Sequence, residues 1–253
     1  MTVLFVCAAS DIGMKRSENQ DCFLFSVFDD GAVCAVVCDG MGGAGYGSIA
    51  SGIAVSAVHD RIKQNYRDNF SPMSMKNLLV TAVSAANTLV FKKANEEKEK
   101  MGMGTTCVAA IVKNDIAYIA SVGDSRAYHL SDDGIEQVTV DHTYVEMLYE
   151  QGKINKEEIS THDMRHYITK AVGVEKDVEV DFFEIDISKG DEIILCSDGL
   201  SNYCSSDMLY ERIHAKAQNK EDGDEIVASL IDYVNSQGGR DNITLAMICN
   251  YDK

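Results

Sequence analysis

The sequence predicts an α+β fold in which antiparallel sheets pack together and pairs of helices lie outside them. Two observations carry this expectation. Apolar, strand-like runs arrive in clusters, and helical patterns arrive in consecutive pairs. A doubly wound parallel sheet would instead alternate strand, helix and strand.

The elements follow in order along the chain. Strands are expected at Val3–Ala9, Cys22–Phe28 and Ala32–Cys38, with an Asp30-Gly31 turn signal between the last two. Helical patterns follow over about Gly47–Asn65 and Met73–Glu99; the second places Leu78, Leu79, Ala82, Ala86, Leu89 and Val90 at helical spacing. The charge run Lys92–Lys100 reads as the solvated end of that helix. Strands return at Thr105–Val112, Ile116–Ser121 and Arg126–Leu130, separated by Asn, Asp and Gly turn signals. A polar and helical segment at about 142–169 precedes strands at Val178–Ile187 and Glu192–Cys196. Helices at about Asp207–Ala217 and Asp224–Gln237 and a last strand at Ile243–Cys249 end the chain. With no linker, repeat or low-complexity segment, residues 1–253 are expected to form one domain.

Charge narrows the partners. Forty acidic against 23 basic residues give a net charge of −17, which repels nucleic acid and anionic membrane but suits bound cations. The eight cysteines form no C-x-x-C pair and mostly occupy apolar runs, as reduced, buried small hydrophobes do. The first residues lack the basic start and long apolar run of a secretory signal, and no run approaches the roughly 20 apolar residues of a membrane span. The expected location is the cytoplasm, so the sequon at Asn242 is not read as a glycan site.

The stretch Val36–Gly52 holds Gly40, Gly42 and Gly45 in a G-x-G-x-x-G pattern after a strand and before a helix. A dinucleotide site would need a second parallel strand soon after that helix. A second helix comes instead, Asp60 falls towards a helix end, and Asp39 would aim negative charge at a pyrophosphate. The loop therefore reads as carrying metal rather than phosphate. Asp39 is one of five aspartates at the ends of apolar strands, in stretches that carry Gly or Asn: Asp21, Asp39, Asp124, Asp198 and Asp241. Each alone is an ordinary turn residue, as Asp30, Asp133 and Asp191 are expected to be. Gathered in one cleft, the five could not all stay ionised without cations. An all-oxygen set favours Mg²⁺ or Mn²⁺ over zinc.

In this order and spacing, "SDIGMKRSENQD", "VVCDGMGG", "GMGTTCVAAIV", "ASVGDSRAYHL", "VTVDHT", "LCSDGLSN" and "GGRDNIT" resemble the metal-dependent protein serine/threonine phosphatases of type 2C, the PPM family, in compact bacterial form. The resemblance spans nearly the whole chain. It implies a four-layer α/β/β/α sandwich, two central mostly antiparallel sheets flanked by pairs of antiparallel helices. It implies phosphoserine and phosphothreonine hydrolysis on proteins by direct attack of a metal-bridging water. Asp39 would bridge two Mn²⁺ or Mg²⁺ ions, Asp198 and Asp241 would complete the first site, and Asp21 with the Gly40 carbonyl would serve the second. Asp124 and Asp198 would form a weaker third site. Arg16 would bind substrate phosphate and Asn242 would orient Asp241. The segment at about 142–169, with "THDMRHYITKAVG", is similar to the family's mobile flap and its following residues, and His162 would touch substrate there. His142 is read as holding a loop, and Thr105 and Thr106 as strand packing. The chain departs from the family in this loop, where relatives often carry a histidine at the position of either Met41 or Ala44, and at Gln20 and Ser48, where many carry glutamate. The implied partners are phosphorylated proteins and an opposing Ser/Thr kinase, and the expected state is a monomer.

Overall fold

The computed structural model describes residues 2–96, 102–214 and 220–252. Its elements run β1 (Thr2–Asp11), β2 (Asp21–Val27), β3 (Val33–Met41), α1 (Tyr46–Asn65), α2 (Pro72–Ala94), β4 (Gly104–Thr105), β5 (Cys107–Lys113), β6 (Ile116–Val122), β7 (Arg126–Ser131) and β8 (Gly134–Gln137). Then come α3 (Tyr144–Glu150), α4 (Lys156–Ile159), β9 (Asp181–Asp186), β10 (Glu192–Cys196), α5 (Asp198–Ser201), α6 (Ser206–Ile213), α7 (Lys220–Ser236) and β11 (Ile243–Asp252).

Two antiparallel sheets result. One has the order β1-β11-β10-β7-β8 and the other β2-β3-β5-β6-β9, with β4 paired to the end of β3. Strand β3 shows why they stack. Val33, Ala35 and Val37 point to one face and meet Val6, Ile193, Leu195 and Ile248 of the other sheet. Cys34, Val36 and Cys38 point to the opposite face and meet Ala54, Val58, Leu79 and Val83 of α1 and α2. Both faces of β3 are buried, so an antiparallel strand reads as one continuous apolar run, a pattern more usual for parallel sheets. On the far side Leu209, Ile213, Leu230 and Val234 of α6 and α7 cover Tyr128, Ile194 and Leu245. Helix, sheet, sheet, helix is the four-layer order expected.

Local chemistry explains the boundaries. Ser71 caps α2 by accepting the Ser74 N–H (3.3 Å), and the chain's one proline follows at the first helical turn, where its missing N–H costs nothing. The strand expected at Thr105–Val112 is two pieces. Thr106 gives its N–H to the Asp39 carbonyl (2.8 Å), so β4 and β5 pair with different stretches of β3. Strand β8 has no counterpart among the expected strands, because four residues of mixed polarity carry no period. The expected helix ends beyond residues 96 and 214 lie partly outside the described residues. The segment at 142–169 is anchored at its base by a Thr143–Ile168 bridge and carries only α3 and the single turn α4.

Candidate metal centre

Each aspartate of the set stands where a strand begins or stops. Asp21 opens β2 opposite Asp39 near the end of β3, and the two are direct cross-strand partners. Asp124 lies in the turn from β6 to β7, Asp198 opens α5 just after β10, and Asp241 precedes β11. Antiparallel pairing brings these ends to one edge: Cys107 pairs with Val122, and Cys196 pairs with both Arg126 and Leu245. The edge opens into a cleft of about 860 Å³ lined by Arg16, Asp39, Gly40, Asp124, Asp198 and Asp241.

The backbone around Asp39 is held on three sides. Its N–H donates to Thr106 Oγ1 (2.9 Å), and its carbonyl accepts from the Thr106 N–H and from Thr105 Oγ1 (both 2.8 Å). The two threonines therefore do more than pack strands; they fix the residue that aims into the cleft. Gly40 follows because nothing larger fits: a Cβ would lie 2.0 Å from the Gly47 carbonyl oxygen and 2.6 Å from that of Gln20. The glycine-rich pattern thus lets β3, α1 and the loop residue Gln20 converge beside Asp39.

The other carboxylates have partners of their own. Asp241 Oδ2 accepts from Arg16 Nη2 (2.7 Å), and its Oδ1 accepts the Asn242 backbone N–H (2.9 Å). Asp198 Oδ2 accepts from Asn202 Nδ2 (3.1 Å). Asp21 is buried behind the cleft; its Oδ2 accepts from Ser197 Oγ (2.7 Å), while its Oδ1 has no hydrogen-bond partner. Burial, more than any other cause, raises these acids: Asp21 to about 6 and Asp124 to about 7. Asp39 is pushed well above the carboxylate range, by burial first and then by Asp21, Asp198, Asp124 and Asp241. Asp198 is also raised by burial and Asp241, and lies close enough to Asp39 to share a hydrogen bond.

This donor set fits a hard divalent cation. It is all oxygen, crowded with like charge, and includes an orphaned buried carboxylate oxygen. Among the described residues no three acid, His or Cys side chains form a ready-made cage for one ion. Such a centre would use a few carboxylates per ion and complete each shell with water, the habit of Mg²⁺-like ions.

The structure brings Arg16, Asp39, Gly40, Asp124, Asp198, Asp241 and Asn242 to the cleft and leaves Asp21 behind it. Asn242 meets Asp241 by hydrogen bonding, as expected, but through its backbone N–H (2.9 Å). Its side chain donates to the Ile12 and Glu18 carbonyls (2.9 and 3.0 Å) and accepts the Gln20 N–H (2.8 Å), pinning the β1–β2 loop. His162 does not line the cleft, because its Nδ1 accepts the Met164 N–H (3.0 Å) and closes its own turn. His166 lines it instead, with Arg165, Tyr167 and Arg240. Asn202 was legible as one helical turn past Asp198; His166 sits in a segment without period and had no such signal.

This arrangement has known counterparts. Residues 14–241 match the family profile described as protein phosphatase 2C. The chain belongs to the protein phosphatase 2C family. Like other members it is a protein serine/threonine phosphatase, a phosphoric monoester hydrolase that depends on metal. It is 35% identical over 241 residues to the serine/threonine phosphatase stp of Listeria innocua, covering 94% of this chain and 93% of that protein. The solved S. agalactiae serine/threonine phosphatase superposes with a TM-score of 0.87 at 28% identity, covering 97% of this chain and 99% of that one. The catalytic domain of the phosphatase PstP, solved with two manganese ions, superposes at 0.82 and 29% identity over the full length of both chains. Among the described residues no helix is long and apolar enough to cross a membrane.

Proposed function

We propose that this protein phosphatase 2C member hydrolyses phosphoserine and phosphothreonine on proteins at the aspartate cleft, with two Mn²⁺ or Mg²⁺ ions held there and a weaker third. The observation that carries the reading is Asp39, a partly buried carboxyl lining an open cleft, raised by burial first and then by four neighbouring aspartates. Asp39, Asp198 and Asp241 would hold the first ion, and Asp39, the Gly40 carbonyl and, through water, Asp21 the second. Asp124 with Asp198 would hold the third. When bound, such ions neutralise the acids, withdraw charge from phosphate and supply an acidified water.

The chain's own groups do the rest. Arg16, half exposed and now paired with Asp241, would turn its guanidinium to the phosphate once that carboxylate is neutralised by cation. Asn202 keeps Asp198 aimed inward, and Ser197 keeps Asp21 in place. The segment at 142–169 contributes Arg165, His166, Tyr167 and Ile168 to one wall and would act as the substrate-facing flap. A cytoplasmic monomer opposed by a Ser/Thr kinase completes the reading.

The test is phosphate release from a phosphothreonine peptide, with and without Mn²⁺, by wild type and Asp39→Asn. Metal-dependent release that collapses in the variant is expected. Metal-bound wild type that releases no phosphate would overturn the reading.

A further inference from the structure

Asp124 is held between two anchors, and one of them belongs to a residue the chemistry above does not use. On one side Ser125 Oγ lies 2.6 Å from Thr106 Oγ1, the same oxygen that accepts the Asp39 N–H. On the other side Gly123 spends both its backbone groups on His142. Its N–H donates to His142 Nδ1 (3.0 Å), and its carbonyl accepts the His142 N–H (2.9 Å). That carbonyl belongs to the peptide linking Gly123 to Asp124, so the clamp sets the plane from which Asp124 departs. Gly123 has φ +107°, and a Cβ there would meet the Thr106 side chain at 2.6 Å. The residue is forced against Thr106 and has little freedom left.

His142 is buried, so the Gly123 N–H has no water to fall back on. Because Nδ1 accepts an N–H, it carries no proton. The proton on Nε2 faces Asp181 Oδ2 at 3.2 Å, a polar contact without hydrogen-bond alignment. The His142 carbonyl accepts the Thr169 N–H (2.8 Å), next to Ile168 of the cleft wall.

We infer that His142 is a positioning residue for the cation centre: it locks Gly123, and so holds Asp124 at a fixed distance from Asp39 and joins it to the wall formed by 165–168. This rests on the reading of Asp124 as a cation ligand.

The experiment is Mn²⁺ titration of the metal-stripped full chain, followed by electron paramagnetic resonance of the free ion, for wild type and variants whose folding is checked by circular dichroism. Asp124→Asn identifies the ion that depends on Asp124. His142→Leu removes the acceptor and should weaken that same ion about 10- to 100-fold, the usual effect of losing a group that orients a ligand. His142→Asn places a carbonyl oxygen where Nδ1 was and should restore most of the affinity. If the leucine variant does not fold, His142→Gln, whose acceptor sits one bond too far out, replaces it with the same expected loss. If Asp124→Asn weakens one ion but folded His142→Leu weakens none, the positioning role is wrong while Asp124 stays a ligand. Equal loss in His142→Leu and His142→Asn would also overturn it, and no loss in Asp124→Asn would overturn the ligand reading beneath it.

Discussion

At the scale of single residues, the cost of the site is concentrated in Asp39. A carboxyl buried among four others is a liability unless cations or protons neutralise it. Asp39→Asn should therefore raise the stability of the metal-free protein, because it removes a carboxyl whose charged form burial and four neighbouring aspartates disfavour. It should also abolish the stabilisation by Mn²⁺ and cut turnover by about 10²-fold or more. Thermal melts with and without Mn²⁺ check the first two outcomes, and a phosphopeptide assay the third. Gly40 makes the opposite case. Its missing side chain is required by the Gly47 carbonyl 2.0 Å from where Cβ would be. Gly40→Ala should cost more than about 3 kcal/mol in a denaturant titration, since backbone must move to admit it.

At the scale of elements, strand ends do the placing while strand interiors do the packing. Strand β10 shows both. Its interior, Ile193–Cys196, fills the two cores, and it delivers Asp198 to the cleft edge. Its first residue, Glu192, is a buried carboxyl that accepts the Tyr251 hydroxyl and has one oxygen unpartnered. Burial raises it from 4.5 to about 7. A raised acid holds its proton more tightly when folded. Its contribution is therefore fully present below pH 4.5 and is lost as pH rises towards 7. Between pH 4.5 and 8 this one group should remove at most about 3 kcal/mol. Glu192→Gln should flatten that part of the slope, read from urea unfolding at each pH; an unchanged slope would contradict it.

At the scale of the whole molecule, a net charge of −17 sets folding against self-repulsion, and the cleft gathers part of that charge at one edge. Divalent cations that bind only the folded chain must then stabilise it by mass action. At a hundredfold excess over the dissociation constant the gain is about 2.7 kcal/mol per site. For a chain of this size that corresponds to a rise in Tm of about 5–10 °C per occupied site. Chelation should lower the Tm by a similar amount, and calorimetry before and after EDTA treatment reads it directly. Equal Tm values would mean that the acids are already neutralised by protons.

The two-sheet core and the acids at its rim were legible in the chain because both follow from local rules. A buried strand needs an apolar run of fixed length, and a turn that ends it needs Asp, Asn or Gly; Asp21, Asp39, Asp124, Asp198 and Asp241 stand out from turn residues such as Asp30 only as a set, in the order of the family's motifs. What the tertiary structure decided is who faces whom. That Thr106 serves both Asp39 and Ser125, that the Asn242 side chain ties a loop while its backbone N–H meets Asp241, and that His166 rather than His162 reaches the cleft depend on contacts between distant residues. No short window of sequence carries that information. The reason is physical: a side chain's type is set by what its own strand or turn requires, but its partner is set by register and layer packing. Those form only when both sheets have met.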